Sequence, residues 1–131
     1  MSNSKFRYSH EPEPHKARTK QILSQYPQVR NLIGKNPFTI IPLVGIVISM
    51  IVISYLLKDS SWWLVFLVAY TYGAFANHAL FVMIHECSHN LLFKGKVPNY
   101  IASMTANLPH VLPSAISFTR YHRMHHVHQG N

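Results

Sequence analysis

Acidic residues are scarce. Glu11, Glu13, Asp59 and Glu86 stand against twelve Lys and Arg in 131 residues, and charged residues of both signs reach only 12%. A soluble domain carries about twice that share, so a bilayer becomes the first surrounding to consider. Cysteine is nearly missing as well: Cys87 has no second cysteine to pair with, which excludes an intrachain disulfide and gives no sign of an oxidising compartment. The first 35 residues lack the apolar stretch of a secretory leader, and the first membrane span is therefore expected to act as the insertion signal. Basic residues interleaved with exposed aromatics are also wanting, because the aromatics sit in apolar runs. That speaks against nucleic acid as a partner.

Hydrophobic residues, by contrast, make up 48% of the chain. The segment 38–57 holds no charge, and its twenty residues would form a helix of about 30 Å, the thickness of the hydrocarbon core. Lys58-Asp59-Ser60-Ser61 reads as a tight turn, and a second span is expected over 62–84, opened at the interface by Trp62 and Trp63. The net charge of +8 is unevenly spread: seven cations (Lys5, Arg7, Lys16, Arg18, Lys20, Arg30, Lys35) precede the hairpin, while Lys94, Lys96, Arg120 and Arg123 follow it. The positive-inside rule then places both ends in the cytosol, with His85 at the mouth of the second span.

Outside the spans, residues 1–13 read as a flexible tail. Ile22, Tyr26, Val29 and Ile33 recur at helical spacing within 15–33, as in a helix lying on an anionic leaflet or packed elsewhere, and Pro27 is expected to split it in two. Val97, Tyr100, Ile101, Met104 and Leu108 form a further stripe, interrupted by Asn99, Ser103 and Asn107. It suits an interfacial or re-entrant helix, followed by a break at Pro109–Pro113 and a last helix carrying Tyr121 to His128. The fold class expected is all-α: an integral membrane hairpin with interfacial helices.

Ten histidines are present, five of them in two clusters, His85-Glu86-Cys87-Ser88-His89 and His122-Arg123-Met124-His125-His126. Residues three and four apart share a helix face, so His85 with His89, and His122 with His125 and His126, can aim imidazoles at a common point. Neutral imidazole accepts iron, copper, nickel or zinc, and the donors alone do not choose among them. The first cluster also spells HExxH, the zinc metalloprotease signature. Five clustered ligands exceed what one tetrahedral zinc can use, which favours two ions.

Several segments together resemble the sphingolipid Δ4-desaturase family. They are Glu13-Pro14-His15, Ile22-Leu23 and Tyr26-Pro27-Gln28-Val29 near the start, then Asn77-His78 ahead of His85-Glu86-Cys87-Ser88-His89-Asn90. Ala106-Asn107-Leu108-Pro109, Ser117-Phe118 and Arg120-Tyr121-His122-Arg123-Met124-His125-His126 complete the set. The resemblance implies a basic cytosolic N-terminal domain (1–36) and the start of a membrane desaturase domain (37–131) with histidine boxes at 85–89 and 122–126. It also implies a multi-pass enzyme of the endoplasmic reticulum that uses dioxygen, and electrons from NAD(P)H through a reductase and cytochrome b5, to place a 4,5 trans double bond in dihydroceramide. Some relatives hydroxylate C4 instead. Carried over by position, His85, His89, His122, His125 and His126 are expected to be iron ligands, with Asn77 and His78 as possible supports behind them. The family has a third box, expected beyond Asn131, that would complete a site for two iron ions, and the chain is read as the N-terminal part of the larger fold. A non-catalytic membrane protein derived from a desaturase remains a competing reading. His128 stands where the family usually has an aromatic residue, and His10, His15 and His110 read as loop or surface histidines.

Overall fold

The computed structural model describes residues 14–128, with side chains from Ala17 to His126. The expected tail, and the side chains of His10, His15 and His128, lie outside these. The chain divides into two units, Met1–Gly34 and Lys35–Asn131.

In the first unit, α1 (Pro14–Gln25) ends where Pro27 interrupts the helix, and Pro27–Leu32 continues as a tighter 3₁₀ turn. The split at Pro27 is as expected. Of the apolar stripe, Ile22, Tyr26 and Ile33 are exposed and Val29 is half-buried, while Arg18, Lys20 and Arg30 are exposed too.

The second unit opens with Asn36, whose side-chain Oδ1 accepts from Phe38 N at 3.2 Å, and with Pro37 in the first position of a 3₁₀ turn. The turn runs into α2 (Ile40–Leu56). Pro42 falls in the first turn of α2, where backbone N–H groups have no intrahelical acceptor, so its missing N–H costs nothing. After the turn at Lys58–Ser60, the chain is helical from Trp62 to Ser88 as α3 (Trp62–Val68), a π-helical turn (Ala69–Gly73) and α4 (Ala74–Ser88). Thr71 Oγ1 bonds back to Leu67 O at 2.7 Å beside the π turn, a competition with the backbone that often accompanies such irregularities.

Two stretches, Pro27–Leu56 and Trp62–Ser88, are long and apolar enough to cross a bilayer, and only 11% of each apolar window is buried. A core helix of a soluble protein would show the reverse. The second stretch is longer than expected. Its 27 residues reach about 40 Å against a hydrocarbon core of about 30 Å, so the helix continues past Ile84 and is long enough to cross with about 10 Å to spare.

α5 (Lys96–Asn107) and α6 (Ala115–His128) pack on α4 and on each other, and α5 also meets α2. Twelve residues, about 18 Å, are too few for α5 to cross. The face of α5 turned inward is the one that interrupts its apolar stripe. Asn99, Ala102, Ser103, Ala106 and Asn107 are buried, whereas Val97, Tyr100, Ile101, Met104 and Leu108 are exposed. Small residues let helices approach closely in lipid, and outward apolar side chains cost nothing there, so the rule for water is inverted. The core formed this way joins Leu43 and Val47 of α2, Leu80, Ile84 and Cys87 of α4, Leu92, Ala102 and Ala106 of α5, and Ala115 of α6.

Two buried asparagines shape the connections. Asn99 Oδ1 accepts from Leu92 N and Phe93 N, both at 3.2 Å, and Nδ2 donates to Phe93 O at 2.8 Å and Gly95 O at 2.6 Å. Asn107 Nδ2 donates to Leu112 O at 2.9 Å while its Oδ1 accepts from Ala115 N at 2.7 Å, tying the end of α5 to the start of α6. His110 lies in the loop after α5, in keeping with a loop or surface histidine. It is half-buried, with Nδ1 3.1 Å from Ala106 O and a buried Nε2, because the Pro109–Pro113 break folds back against the end of α5.

Candidate metal centre

His85 and His89 stand one turn apart at the end of α4, and α6 brings His122 against them. One nitrogen from each of the three lies within 4.8 Å of the others. His89 Nε2 is 2.9 Å from His122 Nε2, and His126 Nε2 is 3.0 Å from the same atom, which makes His122 the hub. His125 is farther out, its ring centre 6.4 Å from that of His122 and 5.8 Å from that of His126, and it is exposed. His78 is exposed on α4, and Asn77 beside it is half-buried.

Helix α4 ends at the ligands in a Schellman motif. Leu91 N donates to Glu86 O at 3.1 Å and Asn90 N to Cys87 O at 2.9 Å, with Asn90 in the left-handed region at φ 57°. Asparagine tolerates that conformation better than most residues. His89 is the last residue of this helix end, its backbone already leaving helical geometry at ψ 2°.

Phe118 is the contributor that spacing alone did not single out. It stacks on His122 with ring centres 5.0 Å apart and planes 9° from parallel, meets Phe81 edge to face at 5.0 Å, and lies 5.9 Å from His85. Its position four residues before His122, on the same helix face, was the available signal. The stack restricts the His122 ring, and Phe81 packs edge to face against the Phe118 that forms it.

The arrangement fits a metal ion. Imidazole nitrogens lie about 2.0–2.1 Å from a bound transition ion, so two on one ion are at most about 4.2 Å apart. The spread found needs only small side-chain rotations to meet that limit. Burial lowers the pKa of His89 and of His122 below 6.5, and the neighbouring His85 lowers both further. A lowered value keeps the imidazoles neutral, the form that binds metal, and makes the unfolded chain the better proton acceptor below pH 6.5. Metal retained by the detergent-solubilised chain is therefore expected to hold steady from neutral pH down to about 6.5 and to fall below it. Equilibrium dialysis across that range measures it; loss beginning well above 6.5 would contradict the neutral, preassembled cluster.

Residues 61–131 match the family model for fatty acid desaturases. The chain belongs to the fatty acid desaturase family. Residues 2–38 of the chain match a second model, that of the sphingolipid Δ4-desaturase. Relatives extend the resemblance over nearly the whole sequence. A sphingolipid delta(4)-desaturase DES1-like protein of Arabidopsis thaliana is 42% identical over 125 residues, which cover 95% of this chain and 38% of that one. The sphingolipid delta(4)-desaturase of Schizosaccharomyces pombe is 43% identical over 127 residues, 95% of this chain and 35% of the relative. A Caenorhabditis elegans protein whose name joins delta(4)-desaturase with C4-monooxygenase is 37% identical over 132 residues, 99% and 36% of the two chains. The chain thus spans only 35–38% of the length of these curated relatives. No solved structure matches it. The resemblance to sphingolipid Δ4-desaturases read from the sequence is borne out, and these matches weigh against a zinc protease.

Proposed function

We propose that the protein is a sphingolipid Δ4-desaturase, an oxidoreductase that introduces the 4,5 trans double bond into dihydroceramide in the endoplasmic reticulum membrane. The observation that carries this reading is the meeting of His85, His89, His122 and His126 at the end of a helix long enough to cross the bilayer. In this reading 1–36 is the basic cytosolic domain and 37–131 the start of the membrane domain, with the histidines on the cytosolic side where the cations gather. Electrons from NAD(P)H would arrive there through cytochrome b5 and its reductase, together with dioxygen.

His85, His89, His122 and His126 would hold iron, with His125 beside them and two ions in all as the surplus of donors suggests. Bound iron would supply the dioxygen-derived oxidant that an unactivated C–H bond requires. The chain's own part is positional. Phe118 fixes the His122 ring, Phe81 packs edge to face against Phe118, and the exposed apolar faces of α3 and α4 leave a route along which a lipid chain can approach from the bilayer.

The test is expression of the complete reading frame in a cell that makes no 4,5-unsaturated sphingoid bases, followed by mass spectrometry of its sphingolipids. A product two hydrogens lighter with its double bond at C4 is expected. A C4-hydroxylated product would favour the second reading, which the name of the Caenorhabditis relative supports. Neither product, in cells where the protein is present and metal-loaded, would reject both and leave a non-catalytic role.

A further inference from the structure

The end of α4 is held by groups from outside its own helix. The Schellman motif satisfies carbonyls within α4, but those of Asn90 and Leu91 point beyond it. Lys35 Nζ donates to Asn90 O at 2.7 Å, across 55 residues of sequence, and Asn36 N donates to Leu91 O at 2.9 Å. The ammonium group also sits at the negative end of the α4 dipole, where a cation is favoured. Asn36 caps the 3₁₀ turn that leads into α2 as well. The entry to the first span and the exit from the second are thereby clasped together one residue away from His89.

We propose that Lys35 is a positioning residue for the metal centre, holding the backbone at Asn90 so that the His89 imidazole stays within reach of His122. The inference rests on the metal-site reading above. Its physical reason is the difference between the two ligands of α4. His85 lies inside a hydrogen-bonded turn, whereas His89 stands at a helix end, where helices fray. A ligand on a fraying end would not keep a nitrogen 2.9 Å from its neighbour. The clasp adds, from the segment that leads into α2, a restraint from outside α4 to that of the Schellman motif.

Electrostatics gives this proposal an unusual sign. Removing a lysine near a cation-binding site relieves repulsion and by itself would tighten metal binding. A positioning role predicts weakening instead. The experiment is a titration of the chain in detergent micelles with Co²⁺, whose visible absorption reports both affinity and ligand geometry. Lys35→Met keeps the aliphatic stem and removes the donors. It is expected to weaken binding about tenfold, the scale typical of losing a residue that supports a ligand, and to speed hydrogen exchange at the Asn90 and Leu91 amides. Lys35→Arg, which retains a charged donor, is expected to recover most of the affinity. Lys94→Met removes an exposed cation from the same connection between α4 and α5 and is expected to bind as tightly as the unaltered chain or more so. Unchanged affinity and exchange in Lys35→Met would overturn the clasp alone. Failure of the unaltered chain to bind Co²⁺ would instead overturn the metal-site reading, and the clasp with it.

Discussion

Replacing His122 with alanine is expected to abolish metal binding, a larger loss than the ~10–100-fold that follows removal of a supporting residue. The reason is geometric. His122 is the one imidazole with nitrogen contacts to both α4 and its own helix, at 2.9 Å to His89 and 3.0 Å to His126, and its ring centre lies 4.2 Å from that of His85. Removing it leaves two histidines on α4 and one on α6 without the nitrogen that joins them. The side chain is only half-buried, so alanine opens little cavity, and helical circular dichroism should be unchanged. His125→Ala is the informative contrast. The ring it removes is 6.4 Å from His122, and the loss of affinity in this chain should be much smaller. Isothermal titration with Fe²⁺ or Co²⁺ under anaerobic conditions decides between them. Equal losses in the two variants would mean that the second box uses both histidines alike and that His122 is no hub.

The HxxHH spacing made His122, His125 and His126 equivalent candidates, and what separates them is the packing of α6, which spacing does not contain. With Ala115, Phe118 and Thr119 turned inward, the row that reaches α4 continues through His122 to His126 and leaves His125 to one side. Other features were readable in advance because one local cause determines each. The uncharged run after Pro37 and the short turn at Lys58 set the hairpin, and Pro27 breaks the N-terminal helix as a missing N–H must. The face of α5 was not readable by the same means. An apolar stripe points inward in water and outward in lipid, and the helix alone carries no mark of which solvent it meets. The π turn at Ala69–Gly73 and the last turn of α4 escaped for a related reason. Uniformly apolar or helix-compatible residues do not reveal where a register shifts or where an end is capped from afar.

That inverted face leads to the second large effect expected, at Asn99. The residue is 1% exposed, and its amide uses its full capacity of two donors and two acceptor lone pairs on the loop that joins α4 to α5. Alanine there would leave Leu92 N, Phe93 N, Phe93 O and Gly95 O without these partners, and Leu92 is itself buried. Each orphaned buried group costs about 1–3 kcal/mol, and water can reach those near exposed Gly95, so a loss on the order of 4 kcal/mol is expected. Reversible unfolding in mixed micelles measures it. Asn99→Asp separates hydrogen bonding from packing. Aspartate fills the same volume and keeps both acceptors, but loses both donors and faces two carbonyl oxygens with a negative charge. If hydrogen bonding dominates, aspartate should be as damaging as alanine; if volume dominates, it should be nearly neutral. Gly95 adds a constraint of its own, since its φ of 90° is one that other residues rarely adopt, and the amide of Asn99 is what holds that turn in place. Because α5 packs on both α4 and α6, a loosened turn would also let His122 drift from His89. Asn99→Ala should therefore lower metal affinity as well as stability, with the two falling together across a temperature series.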